Sequence, residues 1–232
     1  YQGAIALLNK LGISTVDGLE SLLNTLMILH VHQPISGNKI ASLSCSGGEA
    51  SLIADLAEQF NFRFPKLSSK QKRKLKSALG DLVHLSNPLD YQTYVWNDQV
   101  KLTVAFKTMM EEAYDFLFII MDLPKQGRCS SDSWHPAIAA LKEAKKIAKC
   151  PVGLITSLEE NMPEKFAKDL IKHSIIPLTG LENSLAAVKA LHNVSIQWKI
   201  KSTPSIIWER WPNEKSRVLD AVSYTHLTLP TK

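Results

Sequence analysis

One run of the sequence limits the possible folds more than any other: Phe116-Leu-Phe-Ile-Ile-Met121, six consecutive apolar residues between Asp115 and Asp122. A run this apolar, and rich in aromatic and β-branched residues, has no polar face to turn toward water. It is typical of a parallel strand that is buried on both faces, because the helices that connect parallel strands cover both sides of the sheet. The run therefore predicts the centre of an α/β domain.

Strand and helix patterns alternate along much of the chain. We expect further strands at 39–44, 61–65, 151–156 and 175–176, helices at 49–60, 68–79, 98–112, 132–149, 163–173 and 181–192, and a loop at 87–90. Ser68 is suited to cap the start of its helix, and Gly80 to end it. Strands that alternate with helices of this length indicate crossover connections. The pattern predicts a doubly wound parallel sheet, flavodoxin-like, over residues 37–193.

The segments on either side of this domain carry different signals. Residues 1–36 have helical spacing followed by proline and glycine, and we interpret them as the last helices of a preceding domain plus a linker. Residues 194–220 lack clear periodicity and are interpreted as a second linker or a packed extension. From about residue 221 the tail resembles translated sequencing-adapter sequence, so we treat 221–232 as non-native. We expect the chain to be a fragment of a longer protein.

Composition excludes several classes of function. The chain has 232 residues, a net charge of +5 and a pI near 9.0, and part of that charge lies in the run Lys70–Lys76, which is typical of a solvated helix face. We therefore expect no nucleic acid partner. No run approaches the roughly 18 to 20 apolar residues that span a bilayer, and no signal segment opens the chain, so we expect a cytoplasmic protein without a membrane partner. The three cysteines form no zinc or disulfide pattern, and we predict no metal site.

The candidate site lies where ligands collect in a parallel sheet, outside the carboxyl ends of the strands. Three loops are expected there: 44–50, 87–90 and 124–132. Glycine lets a backbone approach a ligand closely, and a helix N-terminus favours an anion. We predict that phosphate or a carboxylate substrate is bound by Ser44, Cys45, Ser46, Gly47, Gly48, Glu49, Asn87, Asp90, Gly127, Arg128, Ser130 and Ser131.

Simpler roles exist for some of these residues. Ser46 is placed to cap the helix, with Glu49 completing a capping box. Cys45 is either a low-pKa nucleophile at a helix N-terminus or a small buried thiol, and the second role is the more common one. Asp122 ends a strand as the phosphoacceptor of a receiver domain does, although no acidic pair follows the first strand. The histidines form no metal-ligand pattern.

Three motifs together resemble a known family. Ser46-Gly47-Gly48 after a strand, a helix with Ala54-Asp55, and then Asn87-Pro88-Leu89-Asp90 resemble the nucleoside-diphosphate-forming (ADP-forming) acyl-CoA synthetases, that is, the acetate-CoA ligase and succinyl-CoA synthetase superfamily. The opening, Tyr1–Ala4 with Leu11–Ile13, is similar to the stretch that follows the family's Ser-His-Thr-Gly loop. The resemblance covers about residues 1–193.

The resemblance implies a chemistry that runs through a phosphohistidine and an acyl phosphate to an acyl-CoA. It implies ATP, Mg²⁺ and CoA as cofactors, held mainly by CoA-binding and ATP-grasp domains outside this segment, with a small carboxylic acid as substrate and an oligomeric enzyme. Residues 1–36 would end the phosphohistidine-bearing domain, and 194–220 would lead toward the ATP-grasp domain. The phosphorylated histidine would precede Tyr1, so no catalytic residue is assigned within the chain, which alone should be inactive.

The resemblance also assigns the loops. The 44–49 loop would face the acyl substrate, and the 127–131 loop would be a helix start that faces phosphate. Glu49 departs from the family, in which a proline or another small residue is common at this position. The alternative hypothesis is a non-catalytic flavodoxin-like module that binds CoA or a nucleotide and regulates a partner.

Overall fold

A five-stranded, fully parallel sheet organises the chain in a computed structural model that describes residues 2–125 and 127–199. The strands are β1 (Ile40–Ser44), β2 (Leu89–Asp90), β3 (Phe116–Ile120), β4 (Val152–Thr156) and β5 (Ile176–Thr179). The helices are α1 (Gln2–Lys10), α2 (Leu19–Val31), α3 (Gly47–Gln59), α4 (Ser69–Leu79), α5 (Gln99–Met110), α6 (His135–Lys145), α7 (Glu164–Lys172) and α8 (Leu181–Trp198). The strand order β2-β1-β3-β4-β5 is that of flavodoxin-like proteins, so the predicted fold class is confirmed.

The apolar run that begins at Phe116 forms β3, the central strand, and every residue of β3 is buried. Its register places Phe118 between Ser42 of β1 and Gly153 of β4. A Cβ at Gly153 would come within 2.8 Å of the Phe116 ring, so this glycine makes room for the aromatic side chain. Side chains that alternate along β3 feed two cores, one covered by α4 to α7 and the other by α2, α3 and α8.

Two strand predictions need correction. The predicted strand at 61–65 is not formed, because Asn61 turns the chain with a positive φ of 58° and Arg63 makes only an isolated bridge to Lys39. Conversely, the predicted loop at 87–90 ends in β2, which pairs with β1 through Leu43 opposite Leu89 and Ser44 opposite Asp90. A two-residue edge strand is too short to show periodicity in a sequence.

Two helix predictions change at their ends. A 3-10 turn at Asp132–Trp134 precedes α6, which then spans only His135–Lys145 of the predicted 132–149 helix. The last helix, α8, continues past 192 to Trp198 and therefore crosses the predicted domain boundary at 193. The remainder of the predicted linker, from 200, and the tail from 221 lie outside the described residues.

The leading segment packs against the sheet domain through α2. Asn24 donates to the carbonyl oxygen of Thr179 at 2.8 Å and accepts from its N–H at 3.3 Å, and Ser21 donates to Asn183 at 2.9 Å. The described residues accordingly form one compact unit. That residues 1–36 end a preceding domain stays a prediction. Within the described ranges, no helix combines the length and the apolarity that crossing a membrane requires.

Candidate functional site

The carboxyl ends of β1 and β2 bring the first two predicted loops together. The Tyr91 N–H donates to the Ser44 carbonyl oxygen at 2.9 Å, which continues the strand pairing by one residue. Asp90 then lies beside the start of α3, since a Cβ built on Gly47 would be 3.3 Å from its Oδ2. The sequence therefore correctly predicted that the 44–49 loop and Asp90 share one edge of the sheet.

The start of α3 differs from the expected capping box. Ser46 is extended, with φ −134° and ψ 126°, and its side chain makes no capping hydrogen bond. Its carbonyl oxygen accepts instead from the Ser44 hydroxyl at 2.9 Å and from the Ala50 N–H at 3.1 Å. The predicted Ser46–Glu49 box is wrong, because the Ser46 side chain makes no capping bond and the buried Glu49 Oε2 has no hydrogen-bond partner among the described residues.

This open helix start leaves backbone donors free. The first N–H groups of any helix have no acceptor within the helix. At α3 these belong to Gly47, Gly48 and Glu49, and no side chain of the described ranges caps them. Both glycines are exposed, so a ligand can reach the N–H groups from solvent. Free N–H groups at the positive end of a helix dipole are a geometry that favours an anion.

The negative charges near the start of α3 disfavour an anion there. Burial, with the charges of Asp122 and Asp90, raises the pKa of Glu49 to about 7. Asp90 accepts from the Gln92 backbone at 2.9 Å and from its side-chain amide at 2.7 Å, and Asp122 accepts from the Ser157 N–H at 2.7 Å. Two of the three carboxylates thus have donors of their own, and only Glu49 has a buried oxygen without one among the described residues.

Neither Cys45 nor Tyr91 is prepared to act as a nucleophile. Burial, followed by the charge of Glu49, raises the pKa of the Cys45 thiol to about 11, as expected for the buried thiol rather than the reactive one. Tyr91 is fully buried, and its ring packs edge-on to Phe106 at 5.3 Å. Burial raises its pKa well above the usual value, and the charges of Cys45, Glu49 and Asp90 add to the shift.

Asn87 uses its side chain to hold backbone. Its Oδ1 accepts from the Ser42 N–H at 3.2 Å, and its Nδ2 donates to the carbonyl oxygens of Ile40 and Pro65, both at 3.1 Å. The amide thereby ties the chain before β2 to β1. These bonds occupy the groups that a ligand would need, and a direct binding role for Asn87 stays a prediction.

The 127–131 loop is not a helix start. Gly127, Arg128 and Ser130 are exposed, and the 3-10 turn separates the loop from α6. The Ser130 hydroxyl accepts from the Asp132 N–H at 3.1 Å. Ser131 is half-buried and directly precedes the 3-10 turn. In the described ranges, no hydrogen bond or ion pair joins this loop to the 44–49 loop, and a phosphate-binding role for its residues stays a prediction.

Three members of the site were missed or misjudged from sequence. Asp122 was weighed only as a phosphoacceptor, yet its charge acts on Glu49 from the end of β3. Tyr91 and Thr156 were not considered, and each has a buried hydroxyl without a partner in the described part of the chain. Their position in the sequence could have identified them, because each of the three residues follows or ends a strand, and these strand ends lie at the same edge of the sheet. The described residues contain no group of three or more side chains suited to a metal ion.

Comparison with solved structures identifies proteins with the same fold. The protein PH0766 from Pyrococcus horikoshii OT3 superposes with a TM-score of 0.69 at 21% identity, over 86% of this chain and 45% of that one. The dinucleotide forming acetyl-coenzyme A synthetase 1 of Ca. Korarchaeum cryptofilum gives a TM-score of 0.63 in its apo form and 0.64 in complex with phosphate and ADP. Both forms are 16% identical, with 84% of this chain covered.

The aligned part is a minority of each of these proteins. The chain spans 45% of PH0766 and 42% and 41% of the two synthetase chains, so it corresponds to less than half of each. At these identities the likeness shows the fold. No protein-family model and no curated protein sequence matches the chain.

Proposed function

We propose that this chain is part of an ATP-dependent, ADP-forming acyl-CoA ligase, in which it supplies a binding site for phosphate or for the carboxylate of the acyl substrate. The motifs at Ser46–Gly48 and Asn87–Asp90 support this family, and so does the fold shared with an acetyl-coenzyme A synthetase that was solved with phosphate and ADP. The two lines of support are independent, because the motifs were identified from residues and the likeness from backbone geometry.

The observation that carries the proposal is the uncapped start of α3. The sequence Ser46-Gly-Gly-Glu49 has the residues for a capping box, but the folded chain does not form the box. Uncapped N–H groups at a helix start are normally satisfied by side chains, water or a ligand. Here two exposed glycines keep side chains away from them, which suits an oxyanion that must enter and leave.

The remaining chemistry is assigned to other parts of the ligase. ATP, Mg²⁺ and CoA would bind mainly to the CoA-binding and ATP-grasp domains, and the phosphorylated histidine would lie in the domain preceding this segment. Five leucines of α2 are between 42% and 64% exposed, which supports packing of another domain on this face: Leu19, Leu22, Leu23, Leu26 and Leu29.

Phosphate titration of the isotope-labelled 232-residue chain tests the site by NMR. We expect phosphate to shift the amide signals of Gly47, Gly48 and Glu49. Gly48→Leu should weaken phosphate binding at least about tenfold while the chain stays folded, because a Cβ there meets only the Ser46 Oγ at an ordinary 3.5 Å. The matched control is Gly3→Leu in α1, where a Cβ meets nothing within 4 Å. Shifts confined to other amides, or unchanged binding by Gly48→Leu, would overturn the proposal.

A further inference from the structure

A basic groove lies between the C-terminal ends of α6 and α7, away from the candidate site. Each of these helices leads into the start of the next strand, so the groove lies at the amino edge of the sheet, opposite the start of α3. Its volume is about 300 Å³. Five of the six residues that line it are lysine or histidine: Lys142, Lys145, Lys146, Lys172, His173 and Ser174.

Two of the lysines in the basic groove have acidic partners. Lys142 Nζ lies 2.5 Å from Asp169 Oδ2, and Lys146 Nζ lies 2.6 Å from Glu143 Oε2. Glu143 also accepts from Lys107 at 2.9 Å, so its charge is shared between two lysines. The two carboxylates therefore neutralise at most two of the four lysines that line the groove.

Lys145 and Lys172 line the groove without a counter-charge. Neither side chain makes an ion pair with any described residue. Lys145 is half-buried, so water screens its charge less than that of an exposed side chain. Burial also lowers the pKa of its ammonium group, as expected for a charge that no anion compensates. An anion bound in the groove would supply that compensation.

Helix dipoles account for only part of this positive charge. Each helix C-terminus carries about half a negative charge, which a nearby lysine or histidine stabilises. The ends of α6 and α7 together offset about one lysine, and Asp169 and Glu143 offset at most two more. The fourth lysine remains in excess, and protonation of His173 would add to that excess. The basic groove thus holds more positive charge than its two helix ends need.

We propose that the basic groove is a second anion site, which binds a pair of adjacent phosphoryl groups. Phosphoryl oxygens accept charge-assisted hydrogen bonds, and lysine binds phosphate as a point charge, so several lysines in one groove suit several adjacent negative charges. A volume of about 300 Å³ equals that of about ten waters, which suits two linked phosphates better than one. Inorganic pyrophosphate and the diphosphate of a nucleotide share this chemistry.

Titration with pyrophosphate tests the basic groove in the 232-residue chain. Calorimetry measures the affinity, and amide shifts of the isotope-labelled chain locate the binding, which we expect to include 172–174. Pyrophosphate should bind at least about tenfold tighter than phosphate, because it reaches more of the lysines. The affinity should fall as the salt concentration is raised from about 0.05 M to about 0.5 M, since salt screens charges at a surface.

Charge-neutral variants separate the groove from general attraction to a positively charged protein. Lys145→Gln and Lys172→Gln should each weaken pyrophosphate binding about fivefold or more, and Lys172 is exposed, so its loss should leave the fold intact. The matched control is Lys165→Gln, which removes the same charge from an exposed position at the other end of α7 and should bind as wild type does.

Two further ligands identify the source of the phosphoryl groups. We expect ADP to bind within about threefold of pyrophosphate and adenosine not to bind, because Phe, Tyr and Trp are absent from the described residues that line the groove. Much tighter binding of ADP, weakened by Lys172→Gln, would assign the groove to a nucleotide. Adenosine binding as tight as that of ADP would overturn a phosphoryl site.

The proposed function and the basic groove can fail separately, because they use opposite edges of the sheet. No saturable pyrophosphate binding below about 10 mM, or equal weakening by all three lysine variants, would overturn the groove. Amide shifts confined to the start of α3 would do the same and leave the proposed function standing. Shifts at 172–174 with none at the start of α3 would support the groove alone.

Discussion

Glu49 is half-buried, and its buried Oε2 has no hydrogen-bond partner among the described residues, which makes its ionised form unfavourable in the folded chain. Its pKa is raised from the ordinary 4.5 to about 7. A raised carboxyl pKa contributes stability that is fully present below the unfolded pKa and is lost as the pH rises through the folded value. The stability cost of Glu49 is therefore expected above about pH 5, and it is complete above about pH 8.

Replacing Glu49 with glutamine removes this cost and should raise the free energy of unfolding near pH 8. Near pH 4 the carboxyl is neutral in both the folded and the unfolded chain, so wild type and Glu49→Gln should differ little. Urea unfolding followed by circular dichroism at both pH values measures the difference, with Glu58→Gln as the control whose effect should not depend on pH. A Glu49→Gln variant that is less stable than wild type near pH 8 would contradict the assignment.

At the scale of secondary-structure elements, two helices begin with the same sequence pattern and fold differently. Ser68 caps α4 as predicted, since its hydroxyl accepts from the Gln71 N–H at 3.2 Å and the Gln71 side chain accepts from the Ser68 N–H at 2.9 Å. Gln71 is also held by the Tyr114 hydroxyl, to which it donates at 3.1 Å. At α3, Ser46 and Glu49 occupy the equivalent positions but form no box.

This difference gives a prediction with an internal control. Ser68→Ala removes a cap and should lower the free energy of unfolding by about 1 kcal/mol. Ser46→Ala removes a hydroxyl that caps nothing and should change it by less than about 0.5 kcal/mol. Urea unfolding of the two variants gives both values. Equal losses would mean that Ser46 caps α3 in solution, and the case for an open helix start would fail.

The limits of sequence reasoning appear in the same elements. The order of strands and helices was predictable because β3 is a continuous apolar run, because β1 and β4 are short and mainly apolar, and because the helices carry periodic apolar residues. The edge strand β2 could not be predicted in the same way. It has only two residues, and beside it the Asn87 amide bonds to the backbone of β1 and of Pro65, which are distant in sequence. Sequence placed Gly47, Gly48 and Asp90 at one edge of the sheet, but the raised pKa of Glu49 depends on burial and on the charges of Asp122 and Asp90, which no local pattern contains.

On the scale of the whole molecule, the described residues form a single α/β unit that includes the segments on either side of 37–193. Helix α2 is bound to β5 by both polar atoms of the Asn24 side chain, and α8 continues to Trp198. The residues near the end of β1 include carboxylates, a thiol of raised pKa and a buried tyrosine. Among the described residues, the start of α3 thus offers free backbone N–H groups, and neither this thiol nor this tyrosine is prepared as a nucleophile.

The proposed ligase has its anion site in this chain and its phosphorylated histidine in another domain, which leads to a prediction for the isolated chain. With ATP, Mg²⁺, CoA, a small carboxylic acid and hydroxylamine, the purified 232-residue chain should form no acyl-hydroxamate above the protein-free background, because acyl transfer needs a phosphorylated histidine that we assign to another domain. A polypeptide that joins this segment to CoA-binding and ATP-grasp domains should form it, and Gly48→Leu in that polypeptide should lower the rate by weakening the anion site. Product from the isolated chain would show that the nucleophile lies within it, and an inactive joined polypeptide across several carboxylic acids would count against a ligase.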